Sequence, residues 1–105
     1  MILVDTSVWI DHLHRADPRL ATLLERDDVA THDGILQELA LGSISRRDEF
    51  IAALRRLRRL PSLSPEEFLG FVERERLWGR GLGVIDVHLL GAARIDGATL
   101  WTRDR

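Results

Sequence analysis

The chain contains no cysteine and no lysine, and none of its apolar stretches approaches the length of a membrane span. Without cysteine there are no disulfides, no thiolate-bound zinc and no thiol nucleophile. Without lysine there is no P-loop lysine and no Schiff base, nor the lysine of receiver or haloacid-dehalogenase-type phosphotransfer sites. All fifteen basic residues are therefore arginine, set against seventeen acids, for a net charge of −2. No overall basic field points to nucleic acid, so any such binding needs a local patch. The first residues have no basic leader and only a short apolar run, which predicts no signal peptide. These absences fit a cytoplasmic protein.

What is present is an ordinary globular composition, 45% hydrophobic and 30% charged over 105 residues, enough for one domain with a single core. Ile2-Leu3-Val4 is a continuous apolar run, the pattern of a strand buried on both faces. Asp5-Thr6-Ser7 then opens a helix through Val8, Trp9, Ile10 and Leu13, and Asp17-Pro18 opens a second through Leu20, Leu23 and Leu24. Asp27-Asp28 breaks that helix, Val29-Ala30-Thr31 reads as a strand, and Asp33 is expected to cap a helix ending near Gly42. Phe50, Ile51, Leu54 and Leu57 predict a helix with Arg55, Arg56, Arg58 and Arg59 mostly on its other sides. Leu60 to Leu63 is an edge-strand candidate interrupted by Pro61, and Ser64-Pro65-Glu66-Glu67 is a capping box. After the Gly79 to Gly83 loop come a helix from Val84 or Ile85, a turn at Asp96-Gly97 and a last strand. Alternating strands and helices predict an α/β fold with a parallel sheet flanked by helices.

Four acids deserve comparison. Asp5 alone reads as a helix N-cap, Glu38 as a solvated margin residue, and Asp104 as a charged terminus. Asp86 shares a helical face with Leu89, Leu90 and Ala93, so it is either a buried functional carboxylate or a first-turn acid answering the helix dipole. Together they form a pattern. Two acids close predicted parallel strands, where α/β proteins place ligands, and two lie on helices near that edge. Crowded carboxylates call for a hard divalent cation such as Mg²⁺, which suggests metal-assisted hydrolysis of a phosphate ester.

The stretches Ile2-Leu3-Val4-Asp5-Thr6-Ser7-Val8-Trp9-Ile10, Leu36-Gln37-Glu38-Leu39-Ala40-Leu41-Gly42, Gly81-Leu82-Gly83-Val84-Ile85-Asp86-Val87-His88-Leu89-Leu90 and Leu100-Trp101-Thr102-Arg103-Asp104 closely resemble the PIN-domain ribonucleases. The likeness is strongest to the VapC-type toxins of bacterial toxin–antitoxin pairs, and it spans the chain in order. The resemblance implies a PIN-like fold and a Mg²⁺- or Mn²⁺-dependent endoribonuclease toxin that leaves a 5′-phosphate and a 3′-hydroxyl. It also implies a VapB-type antitoxin as partner. It carries the metal-ligand roles onto Asp5 and Asp86, and a catalytic cluster completed by Glu38 and Asp104. Thr6, Ser7 and Thr102 match the polar positions beside these acids. Members of the family continue past the last acid into a further helix and strand. The chain is therefore expected to be a single PIN domain, 1–105, shortened at its C-terminus.

Arg80 and Arg103, close in sequence to those acids, are candidate RNA contacts, whereas the Arg55–Arg59 run reads first as a solvated helix face beside Asp48 and Glu49. His12, His14, His32 and His88 lack metal-ligand spacing. Trp9, Trp78 and Trp101 are expected to pack rather than stack on bases. Trp9, Ile10 and Leu13 offer a candidate apolar surface for association as a homodimer and with an antitoxin segment. Two other readings stay open: a catalytically silent PIN-like module that binds RNA or protein, and a phosphatase or phosphoacceptor using Asp5 as nucleophile. The missing lysine weighs against the second.

Overall fold

The chain was analysed as a computed structural model, which describes residues 1–103. Four short parallel strands, β1 (Ile2–Val4), β2 (Val29–His32), β3 (Arg58–Leu60) and β4 (Thr99–Trp101), form one sheet in the order β3-β2-β1-β4. Six helices connect and flank them: α1 (Thr6–His14), α2 (Pro18–Glu25), α3 (Asp33–Leu41), α4 (Arg47–Arg55), α5 (Pro65–Glu75) and α6 (Val84–Asp96). The chain moves outward from β1 through β2 to β3, then returns to place β4 on the other side of β1. Strand order thus reverses between β1 and β4, and the crevice beyond their carboxyl ends is where this architecture binds ligands.

β1 and β2 are central; β1 is apolar throughout, and all four residues of β2, including Thr31 and His32, are buried. Leu3, Val4, Val29 and Ala30 are buried, as strands covered on both faces require. They anchor one core with Val8, Trp9, Leu20, Ile35, Leu39, Leu54, Leu60 and Leu89. A smaller cluster of Leu63, Phe71 and Val87 seats α5 against α6. Three N-caps follow the sequence signals. Asp5 accepts from the Thr6 amide at 2.7 Å, Asp17 from the Arg19 amide at 2.9 Å, and Ser64 and Glu67 exchange both bonds of their capping box. Gly97 closes α6 at a φ of 71°, a left-handed conformation open to glycine at no steric cost.

Three expectations shift. The third strand lies at Arg58–Leu60 rather than at Leu60 to Leu63, although it is an edge strand as expected. Pro61 has no N–H for the ladder and ends the strand instead of interrupting it. Arg58 and Arg59 therefore leave the helix and belong to β3, where Arg58 pairs with Asp96 at 2.8 Å and Arg59 with Asp33 at 3.4 Å. The basic run is not one helix face.

The cap of α3 is also displaced, from Asp33 to His32. Its Nδ1 accepts from the Gly34 amide at 2.9 Å while Nε2 lies 3.2 Å from the Ser62 hydroxyl. Burial, with His88 beside it, lowers the His32 pKa below its ordinary 6.5, and Asp33 opposes the shift only in part. The unfolded chain then binds the proton more readily than the folded one. Stability is complete above pH of about 6.5 and is lost as pH falls from there toward the lowered folded value. We expect the melting temperature to decline over this window and the decline to flatten in His32→Asn, which retains a capping oxygen without titrating. Parallel melting curves for the two proteins would refute this cause.

Candidate active site

Asp5 sits at the carboxyl end of β1, against the strand-order reversal, and is only 5% exposed. The Asp5 amide donates to the Trp101 carbonyl at 2.9 Å, so the ends of β1 and β4 are fixed together. Its carboxylate is held from three sides. Oδ1 accepts from the Thr6 amide, and Oδ2 accepts from the Ser7 hydroxyl at 3.1 Å and the Thr102 hydroxyl at 2.7 Å. A carboxylate offers about four lone-pair directions, so these contacts orient it and still leave acceptor capacity on Oδ1.

Asp86 reaches the same place from α6, whose first turn lies at this edge because the helix runs back toward the start of β4. The two acids line one cavity of about 230 Å³ together with Arg80, Thr102 and the apolar side chains of Leu82, Leu89, Leu90 and Leu100. The structure gives Asp86 the first-turn position and partial burial. It is a first-turn acid whose Oδ2 accepts from the Gly83 amide at 3.0 Å, and it also faces the cavity, half-buried beside fully buried Leu89. Arg80 stands between Gly79 and Gly81, whose φ values of 73° and 75° turn the loop back onto the cavity rim.

Glu38 is not in that cavity. It is exposed on α3 and lines a neighbouring one of about 350 Å³ with Ile10, Leu13 and Ile44. The link between the two is Thr6, whose hydroxyl donates to Glu38 Oε1 at 2.7 Å while its amide serves Asp5. Asp104 lies outside the described residues. Arg103 is turned from the cavity and pairs with Asp11 and Asp17, and its amide donates to the Ser7 hydroxyl at 3.2 Å. The apolar surface expected at Trp9, Ile10 and Leu13 divides. Trp9 is buried, 3% exposed, and only Ile10 and Leu13, each 41% exposed, face outward. Trp9 is large and its helix turns it inward onto Phe50, where burial outweighs any surface role.

The donor set suits a hard divalent cation. Among the described residues no arginine forms an ion pair with Asp5 or Asp86, so a nearly buried carboxylate shares a cavity with a second one while Arg80, on the same wall, pairs with neither. No group of three potential ligand side chains is found among those residues. Two carboxylates with water filling the remaining positions is a common arrangement for Mg²⁺. The apolar leucines of the cavity wall, of which the sequence placed Leu89 and Leu90 on the face of Asp86, lower the local polarity around the acids. Leu89 and Leu90 come from α6, Leu82 from the loop before it and Leu100 from β4, and of these only Leu89 is fully buried.

The PIN-domain profile matches residues 2–105. The chain is 53% identical to Ribonuclease VapC32 of Mycobacterium tuberculosis, in strains CDC 1551 / Oshkosh and H37Rv, over 106 aligned residues that cover all of it and 86% of the relative. Its fold matches the crystal structure of M. tuberculosis VapC20, a toxin described as cleaving the sarcin–ricin loop. That match has a TM-score of 0.69 and 21% identity and covers 99% of this chain and 90% of the other, a likeness of fold alone. With the profile spanning nearly its whole length and a relative sharing over half its residues, the chain belongs to the PIN-domain family.

Proposed function

We propose that this protein is a divalent-metal-dependent endoribonuclease of the VapC toxin type, with Asp5 and Asp86 as the metal ligands. One observation carries the reading: a nearly buried Asp5 shares a cavity with Asp86, at the strand-order reversal, with no ion-paired arginine among the described residues. When bound, Mg²⁺ or Mn²⁺ supplies charge neutralisation at the phosphodiester and makes water nucleophilic at neutral pH. The protein's own groups do the rest. Ser7 and Thr102 hold the Asp5 carboxylate in one orientation, and Thr6 ties Glu38 to the same helix start. Glu38, tied to the site through Thr6, and Asp104, which lies outside the described residues, are the further acids of this proposal. Arg80, on its glycine-flanked loop, receives a phosphate of the RNA strand.

An antitoxin and a second copy of the chain are the partners in this reading. The exposed Ile10 and Leu13 beside the Glu38 cavity give an apolar segment a place to bind. No helix among the described residues is long and apolar enough to cross a membrane, and the proposed site of action is the bacterial cytoplasm. Incubation with defined tRNA, rRNA and mRNA tests the activity. Fragments should appear with Mg²⁺ or Mn²⁺ and disappear with EDTA. Intact RNA under every metal condition would remove the nuclease reading and leave a silent binding module.

A further inference from the structure

We propose that Arg103 is a positioning residue for the Asp5 carboxylate, fastening the segment after β4 to α1 and α2 through Asp11 and Asp17. The inference rests on the ribonuclease reading above and adds to it a part for a side chain that does not line the cavity. The guanidinium bridges two helices, with Nε at Asp11 on α1 and Nη2 at 3.0 Å from Asp17, the N-cap of α2. It also lies over the Trp101 ring, 5.8 Å from its centre, and Arg19 covers the same ring at 5.0 Å. Arg19 in turn holds Asp17 through two side-chain bonds of 3.3 and 3.1 Å. Those bonds pull the Asp17 pKa down to about 2, so its charge persists at any pH at which the protein works. Two arginines, two acids and one indole thus tie the end of β4 to the turn between α1 and α2.

The consequence appears at the backbone. The Arg103 amide donates to the Ser7 oxygen at 3.2 Å, and the single Ser7 hydroxyl proton is thereby committed to Asp5 Oδ2 at 3.1 Å. Thr102, the preceding residue, donates to the same oxygen at 2.7 Å. Both side-chain bonds that orient Oδ2 depend on where residues 102 and 103 lie. Those residues follow a three-residue edge strand that is otherwise paired on one side only. Release of the guanidinium lets this segment fray and leaves the carboxylate held chiefly by the Thr6 amide. A metal ligand misplaced by about an ångström lowers turnover by on the order of a hundredfold without weakening RNA capture.

The test compares Arg103→Ala, Arg103→Lys and Asp11→Asn with the wild-type chain in steady-state cleavage of an RNA oligonucleotide, alongside Mn²⁺ calorimetry without RNA. Arg103→Ala should lower kcat by about 10- to 100-fold with KM within about twofold of wild type. It should also weaken Mn²⁺ binding by about tenfold, the scale for groups that orient ligands from behind. Arg103→Lys should recover part of the loss, since an ammonium can meet one acid but not fork between two. Asp11→Asn should fall between wild type and Arg103→Ala. A raised KM with unchanged kcat and unchanged Mn²⁺ affinity would make Arg103 an RNA contact and overturn the proposal, as would wild-type values throughout. If Arg103→Ala does not fold, Asp11→Asn decides by the same criteria. Wild-type protein that binds Mn²⁺ but cuts no RNA defeats the ribonuclease reading, while the calorimetric comparison still decides the role of Arg103.

Discussion

Replacing Asp5 by asparagine should lower RNA cleavage at saturating Mg²⁺ by about 10²- to 10³-fold or more, the scale on which one preorganised electrostatic contact acts. The fold should survive. Asparagine keeps an oxygen to accept from the Thr6 amide, and the Ser7 and Thr102 hydroxyls can each reverse and accept from its NH₂ group. Removing one of two carboxylate charges that line one cavity also relieves repulsion, so the melting temperature should hold or rise. Asp86→Asn should behave alike, because Asp86 lines the same cavity. Glu38→Gln should cost less, since Glu38 lines the neighbouring cavity and meets the site through Thr6. The check is single-turnover cleavage beside thermal melting. Near-wild-type cleavage by Asp5→Asn would end its assignment as a ligand.

The largest stability change is expected at Trp9. Its indole is 3% exposed and meets Phe50 edge-on at 5.8 Å and His12 at 6.2 Å, within the main core. Truncation to alanine leaves a cavity on the inner face of α1, for which about 3–5 kcal/mol is typical. At about 4–8 °C per kcal/mol for a domain of this size, the melting temperature should drop by about 12–40 °C. Trp9→Phe should retain most of the stability, because the Nε1–H has no hydrogen-bond partner among the described residues to lose. The drop should not depend on protein concentration. A concentration-dependent effect, or a change of only a degree or two, would contradict the placement of Trp9 in the core.

The legible parts of this fold are those written locally. An apolar triplet before Asp5, proline at the first helical position after Asp17, the Ser64 to Glu67 box and Gly97 each fix an element boundary through a bond closed within a few residues. β3 was misplaced because its register is set from a distance: Ala30 pairs with Arg58 and His32 with Leu60, and an arginine pair at an exposed edge carries no alternation. The cap of α3 was misassigned because aspartate is the more usual capping residue, while a buried histidine caps only where a partner such as Ser62 holds its ring. Asp5 alone reads as a cap and Asp86 in either of two ways, so the four-acid pattern and the resemblance to the PIN-domain ribonucleases, not local spacing, point to them as metal ligands. That Glu38 lies in a different cavity, and that Arg103 reaches back to Asp11 and Asp17, depends on how α1 and α3 pack. No spacing within either helix encodes that.

The most direct test is a Mg²⁺ titration of single-turnover cleavage of one RNA oligonucleotide, with the fragment ends identified, for the wild-type chain and Asp86→Asn side by side. The wild-type rate should rise with Mg²⁺ to saturation and fall to background with EDTA, and the fragments should carry 5′-phosphates and 3′-hydroxyls. The variant should stay near background throughout. Cleavage that persists in EDTA, fragments ending in 2′,3′-cyclic phosphates, or coincident curves for the two proteins would contradict a metal-dependent site built on Asp5 and Asp86.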